Sequence, residues 1–240
     1  MASLSRRRFV SGGGLTVVAA ASGAGGAAAA AGTRVESRTV AAFTAIECDA
    51  VGELIVEQSG REQLSVEAEP RLLPRILTTV DGGVLRIRFA EGNFSTTEPI
   101  RFRVGVRTLE RLEMRASGDA RVGPLETPAL AVRLDGSVDA VFDRLKTTSL
   151  DARLNGSTSM AIESGRAERQ TVAIAGSGDY RAGGFRTDDT TVTIDGSADA
   201  TVHAERRLDA RVAGSASLAY RGRPRVERRV SGSATVEHVD

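Results

Sequence analysis

Tryptophan is absent from this chain of 240 residues, aromatic residues make up only 4% of it, and cysteine occurs once, as Cys48. Each scarcity excludes something. A lone cysteine permits no internal disulfide and no cysteine-based zinc site. With so few aromatic rings the core has to be built from Val, Leu, Ile and Ala, which suits thin stacked layers better than a broad interior. A surplus of one charge is missing too. When Arg6, Arg7 and Arg8 are set aside in a leader, 29 of the 32 basic side chains remain against 31 acidic ones. A near-neutral chain has no basic field for nucleic acid. Lys146 is the single lysine, and His203 and His238 are the two histidines. The histidines lie nearly two repeats apart with no partner motif, so no histidine-based site is expected.

What the chain has in quantity is one short phrase, apolar-x-Gly-Ser-small-Asp-Ala, written seven times between Met114 and Val236. Clear copies are Leu134-Asp135-Gly136-Ser137-Val138-Asp139-Ala140 and Ile194-Asp195-Gly196-Ser197-Ala198-Asp199-Ala200. The first copy is weaker, with Ala116 where the others carry glycine. The serines of the phrase stand at 117, 137, 157, 177, 197, 215 and 233, spaced by 20 and then by 18. Self-similarity at a fixed period is the mark of a solenoid. Within a copy the apolar residues alternate: Leu130, Val132, Leu134, Val138, Ala140 and Phe142 share one face. Period two means strands with one buried face. A repeat of this length is too short for a strand and a full helix, and it predicts an all-β solenoid, a parallel β-helix of about 18–20 residues per coil. Seven coils stacked at about 4.8 Å would make a rod of about 34 Å.

The chain divides into a leader over 1–32, N-terminal strands and opening coils over 33–112, and the seven-repeat β-helix over 113–240, the last two forming one continuous domain. Ser5-Arg6-Arg7-Arg8-Phe9-Val10 resembles the twin-arginine export signal, and the apolar stretch Gly12 to Ala31 ends in small-x-small cleavage sites within Ala27–Ala31. Glycines interrupt that stretch, so no membrane anchor is expected in the mature chain. Export points to the periplasm or the cell surface of a bacterium. From Val35 to Leu112 the pattern is strand-like without repeating, as in Glu53–Glu57, Val84–Phe89 and Ile100–Val106. Pro70 and Pro74 predict a loop or one helical turn around Leu72 and Leu73. This segment is expected to act as an irregular β cap, since an exposed first coil would offer its backbone to other chains.

The phase of the repeat sets two columns outside. Ser137, Ser157, Ser177 and Ser197 form one; Asp119, Asp139, Ser159, Asp179 and Asp199 form the next. Neighbouring carboxylates are how calcium is held, which makes Asp119, Asp139, Asp179 and Asp199 candidate calcium ligands. Asp and Ser at a turn also bond local backbone, and that structural reading is preferred, because the Gly-Gly-x-Gly-x-Asp motif of calcium-binding β-rolls is absent. No catalytic residue and no required cofactor is expected. Candidate ligand contacts are Ser137, Asp139, Ser157, Ser177, Asp179, Ser197 and Asp199. The alternative is a polysaccharide lyase or hydrolase that uses the same aspartates with Arg121 or Arg181. The repeated Gly-Ser is no nucleophile elbow, since it lacks the Gly-x-Ser-x-Gly context. Arg223, Pro224 and Arg225 near the last repeat read as a guard against edge pairing.

The Gly-Ser-x-Asp phrase, the segment Tyr220-Arg221-Gly222-Arg223-Pro224-Arg225-Val226 and the closing Val230-Ser231-Gly232-Ser233 resemble the GIN-domain family. So does the opening, Phe43-Thr44-Ala45-Ile46 followed by Val51-Gly52-Glu53-Leu54-Ile55-Val56. The resemblance runs from about Val35 to Val236, although only Gly176-Ser177-Gly178-Asp179 keeps the family's commonest Gly-Ser-Gly-Asp. It implies a right-handed β-helix of the bacterial envelope, an adhesin-like domain of unknown function without catalytic residues to carry over. A polysaccharide or an envelope protein is the expected partner.

Overall fold

The computed structural model describes residues 32–240. The arginine motif, the apolar stretch and the cleavage sites of the leader lie outside the described residues. The strands begin with β1 (Arg34–Arg38), β2 (Ala45–Asp49), β3 (Gly52–Gln58), β4 (Gln63–Ala68), β5 (Ile76–Asp81), β6 (Val84–Phe89), β7 (Arg101–Val106) and β8 (Arg111–Val122). The repeats supply β9 (Leu125–Phe142), β10 (Leu145–Gly156), β11 (Ser159–Ile162), β12 (Gly165–Gly176), β13 (Asp179–Gly196), β14 (Asp199–Gly214), β15 (Ser217–Arg221), β16 (Arg225–Gly232) and β17 (Thr235–His238).

From β8 onward every pairing is parallel, and each residue meets its repeat equivalent. Leu134 lies beside Leu154, Leu154 beside Ile174, Ile174 beside Ile194, Ile194 beside Val212 and Val212 beside Val230. The fold is therefore the parallel β-solenoid that the repeat predicts, with about six turns. Seven phrases are joined by six rung steps, so the first and last phrases stand about 29 Å apart.

Each turn has three faces. The first runs from Leu130 to Leu134, turns at Gly136-Ser137, and continues as a second face from Val138 to Phe142. Alternation holds across that corner but slips at the next: Asp143 and Arg144 are both exposed, and burial moves to the odd positions Leu145 and Thr147 before returning at Leu150. The period-two reading stops at Phe142 and does not anticipate this short third face. Val, Leu, Ile and Ala fill the prism, as the shortage of aromatic residues requires. Two polar pairs interrupt it, Thr187 with Thr190 and Gln170 with Tyr180. Gln170 takes an inner position beside Leu150, and its amide donates a hydrogen bond of 2.7 Å to the hydroxyl of Tyr180. Both residues are buried, and burial drives the Tyr180 phenol pKa upward.

The repeated glycine has a stricter reason than room for the inner face. The Gly136 carbonyl accepts a 2.9 Å hydrogen bond from the Ser157 N–H, and the Gly156 carbonyl accepts the equivalent bond from Ser177. That bond draws successive corners together, so a Cβ on Gly156 would sit 2.7 Å from the Gly136 oxygen, and one on Gly176 2.6 Å from the Gly156 oxygen. Both glycines also have positive φ, +91° and +119°. Ala116 is tolerated in the first copy because there the tight approach shifts to Gly118, whose Cβ would meet the Gly52 oxygen.

The N-terminal segment makes real rungs, but out of order. Strands β2 and β3 pair with β8 on one edge and with β6 and β7 on the other, all parallel. The first strands in the chain thus form the second rung, held between an outermost rung made later and the start of the repeats. The outer edges are closed by antiparallel strands: β5 on β6, β4 on β7, and β1 on β4. Cys48 packs inside the inserted rung at 1% exposure, where burial raises its thiol pKa to about 11. The expected helical turn is a 3-10 turn over Leu73–Arg75, with Pro74 inside it and Pro70 ahead of it.

Glu69 latches this cap to the loop before β7. Its Oε1 accepts from the Thr97 N–H at 2.8 Å, and its Oε2 accepts from Arg71 Nε at 2.6 Å. The Thr97 amide first, and Arg71 next, hold the carboxyl down at a pKa of about 2, against an ordinary 4.5. A depressed carboxyl contributes stability that is complete above the ordinary value and fades as pH falls toward the folded one. In Glu69→Gln the Thr97 and Glu98 amides should therefore exchange several-fold faster at neutral pH, and the difference from the parent should vanish as pH falls from about 4.5 to about 2. Equal protection at neutral pH would deny the latch.

At the other end of the prism β16 and β17 pair on one side only among the described residues. Arg228 stands in line with Ala210, at a position that the earlier turns fill with Val192, Val172 or Val132. Its guanidinium crosses from one face to another and donates to the Val236 carbonyl at 3.2 Å. A charged group thus lies over the open end of an apolar core.

Candidate functional site

Strand register places the anticipated columns on one wall. Asp119 lies beside Asp139, Asp139 beside Ser159, Ser159 beside Asp179, and Asp179 beside Asp199; Ser217 and Thr235 continue the line. Ser117 pairs with Ser137, and Ser157, Ser177 and Ser197 follow glycines stacked rung on rung. Ser137, Ser157, Ser177, Ser197, Asp139 and Asp199 are exposed or partly exposed, and Asp179 is half-buried. Their side chains point outward because the alternating residues Val138, Ala140, Ala198 and Ala200 face in.

Two exposed carboxylates a rung apart repel by about 1 kcal/mol in water. Along the repeats the wall limits this by stacking aspartates no more than two in succession, and the third carboxylate of the first run, Glu53, is neutralised by arginines. Ser159 separates the pairs, and Arg181 spans the gap, donating at 2.9 Å to both Asp179 Oδ2 and Ser159 Oγ. At the N-terminal end the column continues into Glu53, beside Asp119. Arg101 and Arg121 clamp Glu53 at 3.2 and 2.9 Å. This extension into the inserted rung has no signal in the repeat spacing. No group of three or more His, Cys, Asp or Glu side chains is placed to hold a metal among the described residues. The four candidate calcium ligands come together only as the pairs Asp119/Asp139 and Asp179/Asp199, against the six to eight oxygens, roughly, that calcium takes.

On the preceding face Arg133 and Arg153 stack as expected. Asp151 pairs with Arg153 at 3.1 Å, whereas Asp135 accepts from the Asn155 amide at 2.7 Å and not from an arginine. The histidines keep their expected separation of nearly two coils, yet His203 and His238 line one hollow, together with Arg186, Arg221 and Arg223. No helix of the described residues is long and apolar enough to cross a membrane.

No protein with a curated description matches this chain. Among solved structures, a "putative adhesin" from Bacteroides fragilis aligns with a TM-score of 0.82 at 21% identity, over 88% of this chain and 99% of that one. A "putative adhesin" from Parabacteroides merdae aligns at 0.71 and 22%, over 88% and 98%. A third structure, described as a "Putative lipid binding protein" from Parabacteroides distasonis, aligns at 0.68 and 18%, over 88% and 98%. At such identities the likeness concerns the fold. A family profile described as "Putative auto-transporter adhesin, head GIN domain" matches residues 42–224, from just before the inserted rung to the penultimate turn, and the chain belongs to that family.

Proposed function

We propose that this protein is an exported, adhesin-like module of the bacterial envelope that binds a periodic glycan, without catalysis, through its Ser/Asp wall. The observation that carries the reading is the register itself: hydroxyls and carboxylates recur at one position per rung, about 4.8 Å apart. Carboxylates and hydroxyls accept hydrogen bonds from sugar hydroxyls, and a stiff wall offers them without ordering cost on the protein side. The family's description as an adhesin head supports a binding role, and the same description supports a place outside the cytoplasm.

The test is retention on neutral and acidic polysaccharides, with polymer length followed in the same samples. The parent should be retained on a neutral polymer and leave its length unchanged, with or without calcium. Asp139→Ala combined with Asp179→Ala should weaken retention at least about tenfold while the melting curve stays within about 1 kcal/mol of the parent, as exposed substitutions do. Unchanged retention would remove the wall from the reading, and shortening of the polymer would make the module an enzyme.

A further inference from the structure

We propose that the third face of the prism is a second binding site, a trough for a linear acidic polysaccharide. Glu126, Lys146, Arg166, Arg186, His203 and Arg221 are rung neighbours in unbroken succession. Five consecutive rungs therefore carry a basic side chain at one outward position, spaced by about 4.8 Å, close to the advance of one pyranose unit in an extended chain. Two hollows lie along this column. Lys146 and Arg166 line the first; Arg186, His203, Arg221 and Arg223 line the second.

The second hollow exists because the coil shortens there. The register jumps between Arg181 and Arg186 against Thr201 and His203, so Gly183-Gly184 overhangs a shorter turn. A side chain at Gly183 would enter the space, since a Cβ there would lie 3.6 Å from the Arg221 guanidinium carbon, whereas Gly184 is set by the Glu163 carbonyl of the preceding turn. In the first hollow Lys146 is engaged by Glu126 at 2.6 Å and Arg166 by Asp188 at 3.2 Å; His203 lies 3.3 Å from Glu205. Arg186, Arg221 and Arg223 have no carboxylate partner among the described residues and stay available to a ligand. An arginine fork takes a sugar carboxylate through two parallel hydrogen bonds.

The carboxylates that border the trough select the polymer. Glu126, Glu168, Asp188 and, in the second hollow, Asp240 can accept hydrogen bonds from sugar hydroxyls, which a uronate chain offers at every unit and a DNA strand does not. Neither hollow is lined by an aromatic ring other than histidine, so a nucleic acid would find no stacking platform of the usual kind. This site is independent of the Ser/Asp wall, which lies around the corner on another face.

The probes are polygalacturonate fragments, the same fragments as uncharged methyl esters, and single-stranded DNA of equal charge, each titrated into the full-length protein. The acidic fragments should bind with a steep salt dependence. Affinity should fall at least about tenfold on esterification. A comparable loss should follow Arg186→Gln with Arg221→Gln, both exposed positions, while Asp139→Ala with Asp179→Ala should leave it unchanged. Absence of binding, equal binding of the ester, an unaffected arginine variant, or DNA binding as tight as the uronate would each overturn the proposal. Loss only in the aspartate variant would instead assign the acidic polymer to the Ser/Asp wall.

Discussion

Alanine in place of Gly196 is expected to destabilise the protein by about 4 kcal/mol, at the upper end of what single substitutions do. Two effects add. The backbone there has φ of +141°, a conformation that costs a residue with a Cβ about 1–3 kcal/mol. The new Cβ would also collide with the Gly176 oxygen. That oxygen cannot retreat, because it accepts the Ser197 N–H at 2.9 Å. Gly60 separates the two contributions: its φ is +76°, yet a Cβ there meets nothing within 4 Å. Gly60→Ala should therefore lose only the backbone part, about 1 kcal/mol. Denaturant midpoints of the two variants make the comparison. Equal losses would mean that close rung approach contributes nothing and that backbone angle alone places glycine at the corner.

Replacing Arg228 by leucine is expected to turn the C-terminal end of the described solenoid into an association surface. Parallel rungs stack in register, and a last rung with unpaired backbone is a template for another chain. The parent covers that end with a guanidinium tied to the Val236 carbonyl, beside Val230, which is itself 44% exposed. With a leucine side chain there, the end would be apolar and uncharged at its centre. Mass measured by sedimentation across a range of concentrations should rise far more steeply for Arg228→Leu than for the parent, and Arg228→Lys should follow the parent. Identical mass profiles for the leucine variant and the parent would show that the charge is not a guard.

Much of the architecture was legible in the sequence because the serine spacing and the alternation from Leu130 to Phe142 report rung length and facing directly. The wall of Ser137, Asp139, Ser177 and Asp179 followed from the same phase. The third face was hidden by Asp143 and Arg144, two exposed residues in a row that flip the parity of burial. Its basic column was half visible, since Lys146, Arg166 and Arg186 keep the spacing of 20. His203 and Arg221 fall out of that count because the turns shorten between them and Arg186. Arg228 was hidden for the opposite reason: it obeys the inner phase, where a charge reads as an exception until the strand proves to be paired on one side only among the described residues. The order of the first rungs had no local signal at all, as β2 and β3 read the same whether they lie outermost or second.

That order sets the sequence of events as the chain leaves the ribosome. Strands β2 and β3 emerge early, yet each of their edges waits for partners that emerge later, β6 and β7 on one side and β8 on the other. The cap cannot zip up from its beginning; one edge can close once β6 and β7 have emerged, and the other stays unmatched until β8 is available. The repeats that follow face no such delay, since each needs only the turn just completed. A nascent chain interrupted before Val122 would therefore leave an edge of β2 and β3 unpaired, whereas one interrupted among the repeats would already be a shorter version of the finished solenoid.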